Sequence, residues 1–374
     1  MGGNVQINDI SADNIDLSAV DRKNVTQSIL QMLEELNLRF EKFAGTPLWN
    51  TELFSSRQFF SGSSLSFFDP SIDSKRFFEV KPSVGDIDIQ VDATQTENNK
   101  SFLQKNQGIS FAKTAKLIGY KLSAGQAISL WEFFDYDLFV QIDFEFVDFF
   151  NGRPTEWSTF SRSSPWEDMQ EQIKGVFHKF LLRALTSFSV RELVLLSGKK
   201  QIPKKVKVNT IAFSVQHGVR HKYSPYLNDE GRQLYHTGRD TALTFTDSPD
   251  GNLPVFKEVQ TKDSNYVQNL TDIFTLFFGR APRNDSELKD FNSFVGILKI
   301  ANEVFSNVEK KMLVDAFFDV IFSPRAQMLY RDNPKKDQAE KMKALNKMQT
   351  ALGVSLNPAE VDKACVEFYK TKAK

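Results

Sequence analysis

Asp86 and Asp88 stand two residues apart in "GDIDIQVD", which begins at Gly85. Ile87, Ile89 and Val91 alternate with them, the pattern of a half-buried strand. Both carboxylates therefore project from one face, with Cβ atoms about 6–7 Å apart, twice the rise per residue. Carboxylates so placed repel each other unless a cation lies between them. Hard divalent ions such as Mg²⁺ take oxygen ligands of this kind together with phosphates. A third carboxylate on a neighbouring strand would complete a two-metal clamp for in-line phosphoryl displacement. Asp143 in "DLFVQIDFEFVDFF" is the best third candidate, because it lies mid-strand opposite Val140, Ile142, Phe144 and Phe146. Glu145 is its same-face neighbour and the fallback; Asp135, Asp137 and Asp148 fall nearer the strand ends. The aspartate pair would also suit a solvated strand face.

Upstream, "SSRQFFSGSS" reads as a short strand ending in a turn at Gly62-Ser63. A glycine lets backbone approach a phosphate, and N–H groups and serine hydroxyls can donate to its oxygens. Taken alone, this is also an ordinary turn.

Gly62-Ser63, then Asp86-Ile87-Asp88-Ile89, then a later strand acid at Asp143 resembles the nucleotidyltransferase superfamily of DNA polymerase β-like enzymes. That group includes poly(A) polymerases, CCA-adding enzymes and transferases that nucleotidylylate proteins or small molecules. The resemblance covers about residues 25–190. It implies an α+β fold with a mixed sheet flanked by helices, two Mg²⁺ ions held by Asp86, Asp88 and Asp143, and an NTP gripped by Gly62, Ser63 and Ser64. The implied reaction moves an NMP from the NTP to an acceptor hydroxyl. Two features differ from the family pattern. Gly85 comes 22 residues after Ser63, a longer connection than usual, and no basic residue directly follows the turn.

The elements that must position these groups read as follows. Val25, Ile29, Met32, Leu33, Leu36, Phe40 and Phe43 recur in steps of three and four and make one helical stripe, stopped by Gly45 and Pro47. Residues 94–108 are a loop or surface helix, and "KLIGYKL" and "AISLWEF" are strands around a turn at Ser123-Ala124-Gly125. A helix is expected to open with Ser164 as cap, Pro165 in the first turn and Glu167 completing the box, burying Ile173, Phe177, Phe180, Leu181 and Ala184. On it, Lys174 and His178 are four apart and so share a face that can meet a triphosphate or ribose; Lys179 and Arg183 form a second, solvated pair. These elements divide the chain into a leader over 1–20, a catalytic domain over 21–190, a β-rich module over 191–265 and a helical region over 266–374.

Composition narrows the classes. The 374 residues carry 47 Lys plus Arg and 47 Asp plus Glu, so a uniformly basic nucleic-acid coat is unexpected, while a basic face balanced by an acidic one fits. The single cysteine, Cys365, excludes an internal disulfide and a cysteine-based zinc site and suits a reducing cytoplasm. The polar, acidic start has no signal-peptide pattern, and no apolar run is long enough to span a bilayer. The 35 phenylalanines imply large aromatic cores. "GKKQIPKKVKV" gathers Lys199, Lys200, Lys204, Lys205 and Lys207, which fits RNA or a protective strand edge. His217, His221 and His236, with Arg220, Lys222 and Arg239, read as polar surface or structural groups. An RNA or tRNA-like 3′ end is the favoured acceptor. A protein or small-molecule acceptor, and a catalytically silent binding protein on the same fold, remain alternatives.

Overall fold

A computed structural model describes residues 5–123, 125–187, 190–197, 200–207, 211–221, 241–246, 255–260, 265–323, 326, 328–330 and 333–372. The chain is of the α+β class and divides into two units. The first comprises residues 1–179 with 289–297, and the second 180–288 with 298–374.

The first unit starts with short strands β1 (Gln6–Ile7), β2 (Ile10–Ser11) and β3 (Ile15–Asp16), so the region read as a leader is tied into the fold. Helix α1 (Arg22–Ala44) follows, capped by the Asp21 side chain, which accepts from the Asn24 N–H. Its stripe follows the spacing: Val25, Ile29, Met32, Leu33, Leu36 and Phe40 are all buried, and Phe43 is half-buried at the edge of the same core. Next come α2 (Thr51–Ser56), α3 (Ser64–Phe67), α4 (Ser74–Val80), β4 (Ser83–Val84) and β5 (Asp86–Asp92). The strand expected before Gly62 does not form: Asn50 caps α2 by accepting from the Leu53 N–H, and only Phe60 bridges to a strand.

After α5 (Thr96–Asn106) come β6 (Ser110–Phe111), β7 (Ala115–Ser123), β8 (Gln126–Phe133) and β9 (Leu138–Val147). These form a five-stranded sheet in the order β5-β9-β8-β7-β6. The pairing of β5 with β9 is parallel and the others are antiparallel. Ile87, Ile89, Val91, Ile142 and Phe144 turn one sheet face into the core shared with α1 and α5. A small hairpin, β10 (Phe149–Phe150) with β11 (Arg153–Pro154), leads to α6 (Glu156–Arg162), α7 (Trp166–Gln170) and α8 (Gly175–Ser187).

The single helix expected from Ser164 is thus two. Pro165 occupies the cap position of α7 with no side-chain cap bond, and Gln172 takes a left-handed φ of 54° in the break before α8. Residues 289–297 join this unit through Asp168, whose carboxylate accepts from the N–H groups of Phe294 (2.8 Å) and Val295 (3.1 Å).

Among the described residues of the second unit, three antiparallel hairpins are β12 (Val190–Ser197) with β13 (Lys200–Lys207), β14 (Ile211–Ser214) with β15 (Gly218–His221), and β16 (Thr241–Thr246) with β17 (Val255–Gln260). The helices are α9 (Leu270–Phe278), α10 (Asp285–Asp290), α11 (Phe294–Val304), α12 (Asn307–Phe322), α13 (Pro334–Leu352) and α14 (Pro358–Lys372), with the divisions between units falling inside α8, α10 and α11. Among the described residues, no helix is long and apolar enough to cross a membrane.

A buried ion pair fastens α13 to α14. Asp337 and Lys341 are fully buried, 3.1 Å apart. Tyr369 donates to Asp337 at 2.6 Å, the N–H groups of Leu329 and Tyr330 donate to its other oxygen, and the Lys341 ammonium lies 4.0 Å from the centre of the Phe368 ring. Removing one partner strands the other's charge. Asp337→Ala should therefore lower the stability of this unit by about 3–5 kcal/mol in urea unfolding, and Asp337→Ala combined with Lys341→Met should recover part of the loss. A single change without effect would show that the pair is solvated.

Candidate functional site

The parallel pairing of β5 with β9 sets the site. Its register places Asp86 opposite Gln141, Asp88 opposite Asp143 and Gln90 opposite Glu145. Facing residues of paired strands share a sheet face, so the polar residues of both strands lie together on the side away from the core. One carboxylate oxygen from each of Asp86, Asp88 and Asp143 lies within 4.8 Å of the other two. Asp86 and Asp88 are half-buried, and Asp143 is buried.

The Gly62 turn reaches this cluster through backbone pairing. Phe60 bridges antiparallel to Ile89, the Ser61 N–H donates to the Asp88 carbonyl (3.1 Å), and the Gln90 N–H donates to the Phe59 carbonyl (2.7 Å). At Gly62 the chain turns, with φ 55° and its N–H donating to the Arg162 carbonyl at 3.0 Å. A Cβ there would stand 2.2 Å from Asp88 Oδ2. The buried Ser64 hydroxyl accepts from the Asp88 N–H at 2.9 Å. Ser63 Oγ instead accepts from the ammonium of Lys81, directly after α4.

The aromatic residues around the turn anchor it. Phe59, Phe60, Phe67 and Phe68 are buried, with Phe60 stacked on Phe68 at 3.8 Å and Phe59 on Trp49 at 4.5 Å. Each such ring is worth about 1.5–3 kcal/mol of burial. Behind them, the buried Arg22 guanidinium donates to the carbonyls of Ser66, Phe67, Asp69 and Ile72 and packs on the Phe77 ring. The long connection after Ser63 is thereby pinned to the start of α1.

Two side chains beside the carboxylates orient them. Gln141 Nε2 donates to both Asp143 oxygens, at 2.9 and 3.1 Å, while its own oxygen accepts from the Val5 N–H. The N-terminal segment thus helps hold the third acid. Glu145 accepts from the Ser61 hydroxyl at 2.6 Å and lies 3.6 Å from Arg162, which ties it to the turn. It is not one of the three converging acids.

Burial and mutual repulsion push all three aspartates toward their protonated forms. Asp86 is raised by burial, with Lys81 opposing. Asp88 is raised well above the carboxylate range by burial and then by the charges of Asp86, Glu145 and Asp143. Burial lifts Asp143 to about 7 against the hydrogen bond from Gln141. Three oxygen donors with no nitrogen or sulfur among them fit a hard divalent cation, which would replace those protons.

No protein-family model, curated protein or solved structure matches this chain.

Asp86, Asp88, Asp143, Gly62 and Ser64 come together, with Ser63 alongside. Lys174 is exposed and precedes α8 rather than lying on it, but its charge acts on Lys81. His178 is fully buried, edge-on to Phe160 at 4.9 Å, and burial depresses its pKa to about 3. The shared face expected for Lys174 and His178 therefore does not form. Lys179, assigned to solvent with Arg183, lies near enough to Asp88 to favour its ionised form.

Sequence reasoning missed Lys81, Arg22 and Gln141. Lys81 gave only the signal of a lysine before a proline; Gln141 gave a polar position in phase with Asp143. Lys199, Lys222, His236 and Arg239 lie outside the described residues, as do the side chains of Lys200, Lys204, Lys205, Lys207 and His221. His217 is exposed in the turn between β14 and β15, with its ring 5.7 Å from that of Tyr266.

Proposed function

We propose that this chain is a divalent-metal-dependent nucleotidyltransferase on a nucleotidyltransferase-type fold. The observation that carries the reading is the convergence of Asp86, Asp88 and Asp143 from two parallel strands beside a glycine turn that has no room for a side chain. Asp86, Asp88 and Asp143 would hold Mg²⁺, which supplies charge neutralisation for the phosphates and the displaced group. Gly62 leaves the approach to Asp88 open. The Ser63 hydroxyl, which accepts from Lys81 and keeps its own proton, would donate to a phosphate oxygen, while Ser64, buried and accepting from the Asp88 N–H, would hold the turn against β5 rather than meet the NTP. In the transfer, an acceptor oxygen bonds to the α-phosphorus, the α–β phosphoanhydride bond breaks and pyrophosphate leaves; the acceptor proton passes to a carboxylate or to water. Positioning and electrostatics do most of the work in such reactions. An RNA 3′ end is the favoured acceptor class.

The test uses each α-labelled NTP with Mg²⁺ and, in separate reactions, total RNA and cell protein. The parent should transfer label to one acceptor class, and Asp86→Asn/Asp88→Asn should reduce transfer by at least about 100-fold, near 3 kcal/mol, with an unchanged circular dichroism spectrum. Label in protein would move the acceptor assignment. Mg-NTP binding without transfer would identify a binding protein, and undiminished binding by the double variant would remove the site altogether.

A further inference from the structure

Lys81 is a cation built into an anionic site. Its ammonium donates to Ser63 Oγ of the turn, and the carboxylates acting on it are Asp86 and Asp88 of β5. The other charge acting on it is the like charge of Lys174. Lys81 is half-buried and sits where α4 ends, on the segment that Arg22 holds in place. Its position therefore belongs to the fold and does not depend on a mobile surface side chain.

Such an ammonium acts in opposite directions on two classes of ligand. It repels a lone divalent ion approaching Asp86 and Asp88, and it attracts a polyphosphate approaching Ser63. We propose that Lys81 makes metal loading conditional on polyphosphate: the acidic cluster takes a divalent cation poorly by itself and well when the cation arrives with a triphosphate. The inference rests on the nucleotidyltransferase reading for the nature of that second ligand. It gives Lys81 two linked tasks, partly neutralising the carboxylates before metal arrives and contacting phosphate oxygens afterwards. It also supplies the basic group that the sequence lacks directly after Gly62-Ser63, now delivered from the far end of the long connection.

The experiment titrates the full chain with Mn²⁺, following free Mn²⁺ by electron paramagnetic resonance, first alone and then with inorganic tripolyphosphate. Lys81→Met should bind Mn²⁺ alone about tenfold more tightly than the parent, the scale of one unit charge acting on a divalent ion several ångströms away in a water-like medium. With tripolyphosphate the order should reverse, the variant binding about tenfold more weakly. Lys81→Arg should follow the parent in both titrations. Lys81→Gln replaces Lys81→Met if the latter misfolds. A merely structural Lys81, needed only to hold Ser63, would weaken both titrations together. That outcome, or no change in either, overturns the inference. Asp86→Asn/Asp88→Asn separates the two levels. If it binds Mn²⁺ as the parent does in both titrations, the nucleotidyltransferase reading fails with the inference. If it loses Mn²⁺ while Lys81→Met shows no reversal, only the role of Lys81 fails.

Discussion

In metal-free buffer, Asp143→Asn is expected to stabilise the protein at pH 8 and to change it little at pH 4. Burial lifts the Asp143 carboxyl from its ordinary 3.8 to about 7 in the folded chain. A group whose folded pKa is raised favours the folded state below its unfolded value, and that advantage is lost as pH rises toward the folded value. The wild-type chain should therefore lose stability between about pH 4 and pH 7. The shift corresponds to on the order of 4 kcal/mol. At roughly 2–4 °C per kcal/mol for a unit of this size, the midpoint of thermal unfolding should rise by about 10 °C in the variant at pH 8. Asparagine keeps an acceptor for Gln141 Nε2 and carries no charge, so nothing comparable is lost. Adding Mn²⁺ together with tripolyphosphate should offset that gain, because binding to the folded state stabilises only a chain that keeps its ligands. Thermal scans at pH 4, 6 and 8, with and without the ion and tripolyphosphate, check this. A variant less stable than the parent at pH 8 without metal would show that the Asp143 carboxylate carries no burial cost in the folded chain.

That expectation depends on a juxtaposition the sequence showed only in halves. The alternation of Ile87, Ile89 and Val91, and of Val140, Ile142, Phe144 and Phe146, was enough to place each acid on the outer face of a strand. It could not give the register, because α5 and the β7–β8 hairpin separate the two strands in the chain. Only their parallel pairing makes Asp88 and Asp143 neighbours. Some signals were present and were outweighed. Asn50 followed by Thr-Glu-Leu-Phe is a helix start, yet the aromatic run after it read as a strand. His178 shares an apolar helical stripe with Leu181, Leu182 and Leu185 at spacings of three, four and seven, all buried, so the same periodicity that puts it near Lys174 also puts it in the core. Lys81 and Arg22 act on the turn from 18 and 40 residues away along the chain. Such contacts are fixed by packing, here the Phe59, Phe60, Phe67 and Phe68 cluster, and leave no local pattern to read.

Gly62→Ala should remove the site while leaving most of the fold, and it separates the two reasons for a glycine there. The φ of 55° carries a cost of about 1–2 kcal/mol for any residue with a Cβ. The second reason is space: the new methyl would fall 2.2 Å from Asp88 Oδ2, and the turn cannot retreat because the Ser61 and Gly62 N–H groups are held by the carbonyls of Asp88 and Arg162. The Asp88 carboxylate must rotate away from Asp86 and Asp143. Groups that merely orient metal ligands are worth about 10–100-fold in affinity, so displacing a ligand should cost at least about 100-fold in Mn²⁺ binding, measured with tripolyphosphate present. Gly108→Ala is the control. Its φ of 80° imposes the same backbone cost, and a Cβ there meets nothing within 4 Å. The two variants should lose similar stability in urea, yet only Gly62→Ala should lose Mn²⁺. Equal retention of Mn²⁺ by both would mean that Asp88 can swing clear and still bind, and that the close approach of the turn to β5 serves packing alone.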